Sequence, residues 1–171
     1  IESLFLSIRT AGGTTQYQFK DVDVKALAEE VVKTLRPLAK KKRISLKLDI
    51  SPDAPPVKGD ETMLSYVVQN LVDNAIKYSL PGGKIHASIE SVKGGLQLRV
   101  TDNGIGISEE EKEHLFERFY RSPRATKLFT DGSGLGLYIL KSIVEAHNGS
   151  IDITSKEGEG ATFTCTFPAT S

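Results

Sequence analysis

Five stretches of this chain alternate apolar and polar residues one by one, a pattern that predicts β-strands. In ISLKLDI, for example, Ile44, Leu46 and Leu48 share one side and the polar residues share the other. Because strands buried on both sides would lack this alternation, we expect a sheet that is covered on one face only. Short glycine turns, KGG and KEGEG, join two pairs of these strands into predicted hairpins. The five stretches are residues 44–50, 84–91, 96–101, 150–154 and 161–167.

Three amphipathic helices are predicted as the covering layer, which gives a two-layer α/β (α+β) sandwich. The first begins behind an Asp23 cap and runs from about Val24 to Lys42, where Pro37 predicts a kink or an early end. The second spans about 60–79 and the third about 134–147, and a shorter helix follows the SEEE capping box at Ser108. The apolar stripe of the first helix is Leu27, Val31, Leu35 and Leu38.

Composition excludes several classes of function. Lys and Arg balance Asp and Glu at 22 each, so no overall field attracts nucleic acid or an anionic membrane. The basic run 40–43 is interpreted as a solvated helix end. A single cysteine, Cys165, excludes an internal disulfide and alternates in phase with core phenylalanines. With no bilayer-length apolar run and no signal-peptide pattern, we expect a cytoplasmic location.

The first residues do not fit the sandwich pattern. Residues 1–13 resemble the last turns of a helix that ends at Gly12 and Gly13. We therefore expect residues 1–15 to be the tail of a preceding helix with its linker, and residues 16–171 to form the domain. Residues 122–133 have no period and are the best candidate for a mobile loop.

The second predicted helix carries an unusual polar stripe. At 100° per residue, Asn70, Asn74 and Lys77 fall within about 60° of one another, next to the apolar face. An unpaired buried amide costs roughly 1–3 kcal/mol, so this stripe is expected to hold a ligand. Asn74 offers a hard oxygen to Mg²⁺, and Lys77 a positive charge to phosphate.

Three glycine clusters complete the pattern: DNGIGI after a strand, DGSGLGLYI before a helix, and EGEGATF before the last strand. Each alone indicates no more than a turn. Together with the polar stripe they predict a nucleotide pocket, because glycines let the backbone approach phosphates and a helix N-terminus attracts anions. Asp102 can accept a hydrogen bond from an exocyclic amine such as that of adenine. P-loop, protein-kinase and dinucleotide-fold signatures are absent.

These residues closely resemble the boxes of sensor histidine kinases. NLVDNAIKYS, DNGIGI, LFERFYR, GSGLGLYI and GEGATFT are similar, in order and spacing, to the N, G1, F, G2 and G3 boxes. The resemblance covers about residues 17–168 and implies the Bergerat ATP-binding fold, with a mixed five-stranded sheet under three helices. Gyrase, Hsp90 and MutL ATPases share such a pocket, but LFERFYR and the compact lid favour the kinase branch.

The resemblance implies ATP and Mg²⁺ as cofactors and assigns roles to residues. Asn74 would bind Mg²⁺ with support from Asn70, Asp102 would bind the adenine amine, and Arg121, with Arg118, would reach the terminal phosphate. Phe116 and Phe119 would anchor the lid, although plain core packing stays open for both. Other residues implied in nucleotide binding are Lys77, Tyr78, Gly104, Ile105, Gly106, Ile107, Gly132, Ser133, Gly134, Leu135, Gly136, Leu137 and Thr162.

One departure concerns the phosphoacceptor. The family places this histidine on a dimerisation helix before the N box, and His86, His114 and His147 do not fit that position. The resemblance therefore implies that a dimerisation domain of the same full-length kinase supplies the acceptor. It also implies a response regulator as partner, a homodimeric full-length protein and a monomeric fragment.

Two alternatives to phosphoryl transfer remain open. The chain could be a nucleotide-dependent docking module without kinase activity, which transfer to an added acceptor domain would exclude. It could instead be a gyrase-like ATPase, which predicts steady ATP hydrolysis by this chain alone.

Overall fold

The computed structural model describes residues 17–170. The predicted helix tail at residues 1–15 and the domain boundary near Gln16 lie outside this range. Within it, no helix combines the length and the apolar character needed to cross a membrane.

A mixed five-stranded sheet forms one layer, as expected. Its strands are β2 (Ser45–Ile50), β4 (Lys84–Val92), β5 (Gly95–Asp102), β6 (Ser150–Lys156) and β7 (Gly160–Pro168), in the order β2-β4-β5-β7-β6. β2 and β4 pair in parallel, and the remaining neighbours pair antiparallel. Both predicted hairpins, β4–β5 and β6–β7, are confirmed.

Three helices cover one face of this sheet: α1 (Val24–Lys41), α2 (Glu61–Tyr78) and α5 (Gly136–Ala146). Asp23 caps α1 as predicted, and Asp60 caps α2 by accepting from the Met63 N–H. The early end at Pro37 was wrong, because α1 continues to Lys41 with Ala39 buried beyond the proline. Leu38 was wrongly placed in the apolar stripe and is 43% exposed.

The core lies between the two layers and is built from the apolar faces that alternation predicted. Leu98, Val100 and Phe167 of the sheet are buried together with Leu71 and Ile139 of the helices. Cys165 is buried there too, and burial raises the pKa of its thiol to about 12. This cysteine is therefore a core residue rather than a reactive one.

The sequence patterns missed three short elements. β1 (Lys20–Val22) and β3 (Val57–Gly59) form a separate two-stranded antiparallel sheet. Helix α4 (Pro123–Leu128) lies inside residues 122–133, the stretch without a period that is the candidate mobile loop. The structure gives this stretch a short helix, and its mobility stays a prediction. Such short segments show no period of their own. The predicted helix after Ser108 is confirmed as α3 (Glu109–His114), with the full capping box to Glu111.

Candidate functional site: a cavity between two helices and a lid

A cavity of about 540 Å³ opens where α2, the loop after β5 and the residues before α5 meet. We call residues 115–135 the lid, because residues along this segment, from Leu115 to Leu135, line the cavity. Most residues that the sequence predicted for a nucleotide site line it: Asn70, Asn74, Lys77, Tyr78, Asp102, Ile105, Gly106, Ile107, Arg121, Gly132, Ser133, Gly134, Leu135, Gly136 and Leu137.

The polar stripe of α2 forms one wall of this cavity. Asn74 Nδ2 donates to Asn70 Oδ1 over 3.1 Å, one helical turn back. This bond uses the amide nitrogen of Asn74 and leaves its carbonyl oxygen for a ligand. Asn70 also abuts the start of α5, since a Cβ added to Gly136 would lie 2.6 Å from Asn70 Nδ2. The two helices therefore approach closely because residue 136 is glycine.

Lys77 lies on the same wall, but its charge is already engaged. Its Nζ is 2.5 Å from Asp73 Oδ2 and 4.9 Å from the ring centroid of Phe129 in the lid. A phosphate that binds Lys77 must therefore compete with Asp73.

Asp102 lies at the end of β5 and is buried. Burial raises the pKa of its carboxyl group, although hydrogen bonds from the N–H groups of Gly104 and Ala161 oppose that shift. The Gly104 bond is 2.8 Å long and orients one carboxylate oxygen. Gly104 itself does not line the cavity. It lets the loop pass the end of α2, since a Cβ there would lie 2.3 Å from Tyr78 O.

The start of α5 forms the opposite end of the cavity from Asp102. The helix has no side-chain cap, so its first N–H groups are left for a ligand, as anion-binding helix termini require. Gly134 has φ +69°, and its carbonyl accepts from the Phe119 N–H over 2.9 Å. A Cβ on Gly134 would lie 2.6 Å from the Phe119 carbonyl carbon, so glycine lets the lid fold back on itself.

The two predicted phosphate-binding arginines both belong to the lid, but only one of them lines the cavity. Arg121 lines the cavity and donates to the backbone oxygens of Phe129 and, over 2.8 Å, Thr130. Arg118 lies outside the cavity, with its guanidinium 4.8 Å from the ring centroid of Tyr138. Arg118 therefore does not join Arg121 in the cavity lining as expected, and the backbone between the two residues is left-handed at Phe119 (φ 65°).

Three further expectations need correction. Thr162 does not line the cavity; its hydroxyl lies 2.9 Å from that of Thr101 on the open face of the sheet. Strand side chains alternate, so Ala161 and Phe163 face the cavity instead. Core packing is wrong for Phe119, which is 69% exposed. Phe116 is half-buried outside the cavity lining, with Lys141 Nζ 5.3 Å from its ring centroid.

Sequence reasoning also missed part of the lining. Asp73 could have been found, because it lies four residues before Lys77 on a predicted helix. The lid residues carried no such signal, since they reach the cavity through α4 and its flanking turns. The missed residues are Asp73, Ala75, Glu111, Leu115, Tyr120, Ser122, Ala125, Phe129, Asp131, Ala161 and Phe163.

The three histidines of the chain do not line this cavity. His86 pairs with Asp49 on the open face of the sheet, and His114, just before the lid, pairs with Glu117 of the lid. His147 is buried at the end of α5.

Comparisons with known proteins match this architecture to one family. Residues 59–171 match the family described as histidine kinase-, DNA gyrase B-, and HSP90-like ATPase. The sensor-like histidine kinase SenX3 of Mycolicibacterium smegmatis is 41% identical over 147 residues, which are 86% of this chain and 38% of SenX3. The sensor protein kinase PmrB of Pseudomonas aeruginosa is 40% identical over 161 residues, which are 94% of this chain and 33% of PmrB. The chain therefore spans less than half the length of these relatives.

Solved structures give the same match. The catalytic domain of the histidine kinase ThkA superposes with a TM-score of 0.78 at 28% identity, covering 90% of this chain and 99% of that domain. Full-length ShkA in complex with AMPPNP gives 0.80 at 25% identity, covering 99% of this chain and 37% of ShkA. ThkA in complex with the response regulator TrrA gives 0.80 at 26% identity, covering 99% of this chain and 47% of that chain.

Proposed function

This chain belongs to the family of histidine kinase-, DNA gyrase B-, and HSP90-like ATPases, and we propose that it binds ATP and donates the γ-phosphoryl group to a histidine as the catalytic domain of a sensor kinase. One observation carries this proposal. A single cavity brings together the buried carboxylate of Asp102, the amides of α2 and the uncapped start of α5. These groups suit an adenine amine at one end and a phosphate chain at the other. The AMPPNP complex of ShkA, with an ATP analogue, supports the same ligand class.

The residues present also fit a magnesium ion that arrives with the nucleotide. Among residues 17–170, no three His, Cys, Asp or Glu side chains cluster as a metal site. Mg²⁺ commonly takes one or two protein oxygens and completes its shell with phosphate and water, so Asn74 Oδ1 is a sufficient protein ligand. When bound, the ion would neutralise charge on the phosphates.

In phosphoryl transfer the protein contributes positioning and electrostatic stabilisation and does not supply a nucleophile from this chain. The bond between the γ-phosphorus and the β,γ-bridging oxygen breaks, a nitrogen–phosphorus bond to imidazole forms, and ADP leaves. Lys77 and Arg121 are the lysine and arginine side chains that line the cavity, and they can balance the charge on the phosphate oxygens. Arg121 is already braced by lid carbonyls, so lid position and charge placement are linked.

The acceptor histidine must come from another domain, because none of the three histidines of this chain lines the cavity. We assign it to a dimerisation domain of the same kinase, whose full-length form would be a homodimer, whereas this chain alone would be monomeric. The phosphoryl group would then pass to a response-regulator aspartate, and the ThkA–TrrA complex supports that class of partner.

Calorimetric titration of ADP and AMPPNP into this chain, with and without Mg²⁺, tests nucleotide binding. We expect affinities between about micromolar and sub-millimolar, as for most cellular ligands, and tighter AMPPNP binding with Mg²⁺. In Asn74→Ala the Mg²⁺ effect should disappear while ADP binding without metal stays. If Mg²⁺ still tightens AMPPNP binding in that variant, Asn74 is not the ligand.

Adding a separately purified dimerisation domain with its histidine tests the transfer step. Labelled phosphate on the added domain would exclude the docking-module alternative. Binding without transfer would favour that alternative, and steady ATP hydrolysis by this chain alone would favour a gyrase-like ATPase.

A further inference from the structure

The lid contains a helix that cannot be stable by itself. α4 has six residues, none of them buried, and isolated helices this short do not persist in water. Ser122 caps it locally by accepting from the Ala125 N–H over 3.2 Å. A local cap does not hold the helix in place, so its position over the cavity depends on contacts with the rest of the domain.

One side chain of this helix makes four such contacts. The Arg124 guanidinium lies 2.6 Å from Glu111 Oε2 on α3 and 3.3 Å from Glu157 Oε1 in the β6–β7 turn. It also donates to the backbone oxygens of Ile105 at 3.1 Å and Gly106 at 3.4 Å, in the loop after β5. Arg124 therefore connects the lid helix to three separate segments.

The main acceptor is itself held in place. Glu111 is the third residue of the α3 capping box, and its Oε2 accepts from the Ser108 N–H over 2.8 Å. Its side chain is only 12% exposed, against 33% for Arg124. A pre-oriented, poorly hydrated carboxylate makes a stronger and more directional partner than an exposed one.

These contacts lie at one end of the cavity. Along α2, Asn70 abuts Gly136, whereas the Tyr78 carbonyl accepts from the Ile105 N–H over 3.1 Å. Residues 70 and 78 are about 12 Å apart along a helix, so the Ile105 end is well separated from the start of α5. Ile105, Gly106 and Glu111 line the cavity near Asp102, on the side assigned to the base.

We propose that Arg124 is a positioning residue that latches the lid helix over the Ile105 end of the cavity and so sets how long a nucleotide base stays bound. This inference rests on the proposed function, because it needs a nucleotide in the cavity. The effect of this latch should not depend on the number of phosphates. The latch holds ADP and ATP alike, whereas a phosphate-binding residue such as Arg121 discriminates between them.

The test is the dissociation rate of ribose-labelled methylanthraniloyl-ADP and -ATP from this chain, chased with unlabelled nucleotide in Mg²⁺. Arg124→Gln should release both nucleotides about tenfold faster, the effect of losing a charge-assisted hydrogen bond that is partly exposed to water. Arg124→Lys should restore part of the slow release that Arg124→Gln loses. Lys127→Gln, an exposed position on the same helix, is the matched control and should stay within about twofold, as surface substitutions do.

Glu111→Gln isolates the latch from the capping box, because glutamine also serves as the third residue of such a box. It should speed release, and the double variant with Arg124→Gln should be no faster than Arg124→Gln alone, as expected for two residues of one interaction. Thermal unfolding of each variant confirms that the domain is folded.

Three results would overturn the latch. Unchanged release of both nucleotides from Arg124→Gln would contradict the latch role. Faster release of ATP alone would indicate that Arg124 is a phosphate contact. Equal acceleration by Lys127→Gln would indicate general loosening of the lid. If the unmodified chain binds neither nucleotide, the proposed function itself fails, so the two failures are distinguishable.

Discussion

At the scale of single residues, Asp102 carries the sharpest requirement for a ligand. Its carboxyl group is buried, and burial raises its pKa above the ordinary value. One oxygen is held by the Gly104 N–H, and the side chain still faces the cavity. A poorly hydrated carboxylate beside an open cavity is stabilised by a ligand that donates hydrogen bonds.

Replacing Asp102 with Asn should weaken nucleotide binding by roughly 10–100-fold, the effect of losing a charged hydrogen bond to the base. ADP and AMPPNP should lose affinity alike in calorimetry, because the change lies away from the phosphates. Asp152→Asn, on the exposed face of β6, is the matched control. Unchanged affinity in Asp102→Asn would contradict the adenine assignment.

At the scale of elements, the carboxyl end of α2 is capped by a side chain from outside that helix. Lys42, just after α1, donates from Nζ to the backbone oxygens of Ile76, Lys77 and Ser79 over 2.8, 2.8 and 2.9 Å. The basic run was interpreted as solvated, but Lys42 is a tertiary cap at the negative end of a helix dipole. It steadies the turn that holds Tyr78 against the loop of Ile105.

Lys42→Met should therefore lower the free energy of unfolding by about 1–2 kcal/mol, because exposed carbonyls recover only part of the lost hydrogen bonding from water. Urea denaturation measures this change. Lys41→Met, next in sequence and exposed, should change stability by less than about 0.5 kcal/mol. Equal losses in both variants would show that charge removal, rather than capping, is the cause.

At the scale of the whole molecule, the two helices that wall the cavity are tied together at their far ends. His147, just after α5, accepts at Nε2 from the Asp60 N–H at the start of α2 over 3.0 Å, and its Nδ1 lies 2.7 Å from Ile143 O. The rings of Tyr17 and Phe19 lie 5.4 and 5.0 Å from the His147 ring. A neutral imidazole thus joins both helices and packs against the two aromatic rings that precede β1.

This junction predicts a pH dependence. Burial lowers the pKa of His147 below its ordinary 6.5, against the opposing effects of the Ile143 carbonyl and Asp60. As pH falls below 6.5, the unfolded chain takes up a proton at this residue more readily than the folded one, so the free energy of unfolding decreases. Urea denaturation from about pH 7.5 to about pH 5.5 measures the slope.

Two substitutions separate the histidines. His147→Gln should flatten that decline, since glutamine can accept from Asp60 without titrating. His114 has the opposite sign, because its hydrogen bond to Glu117 raises its pKa and its stabilisation fades as pH rises. His114→Gln should therefore steepen the decline. If His147→Gln keeps the wild-type slope, His147 is not the cause of the stability decline at low pH. If that variant does not fold, an NMR titration of the His147 ring protons in the unmodified protein tests the lowered pKa instead.

The sequence alone determined the layers and one wall of the site. Strand alternation, helix periodicity, the glycine turns and the Asp23 and Ser108 caps are local signals, so together they predicted the sandwich and both hairpins. The stripe of Asn70, Asn74 and Lys77 was visible because a helix repeats regularly along its axis. The alternation of strand 161–167, applied strictly, would also have placed Thr162 on the open face of the sheet, because its neighbours Ala161 and Phe163 are on the apolar face.

Only the tertiary structure decided the lid and the ties between elements. Helix α4, the position of Arg118 outside the cavity and the left-handed turn at Phe119 depend on contacts between segments far apart in the chain. The continuation of α1 beyond Pro37 and the role of Lys42 have the same origin. Short segments gain too little from their own hydrogen bonds to fold locally, so their conformation follows from the surface they close against.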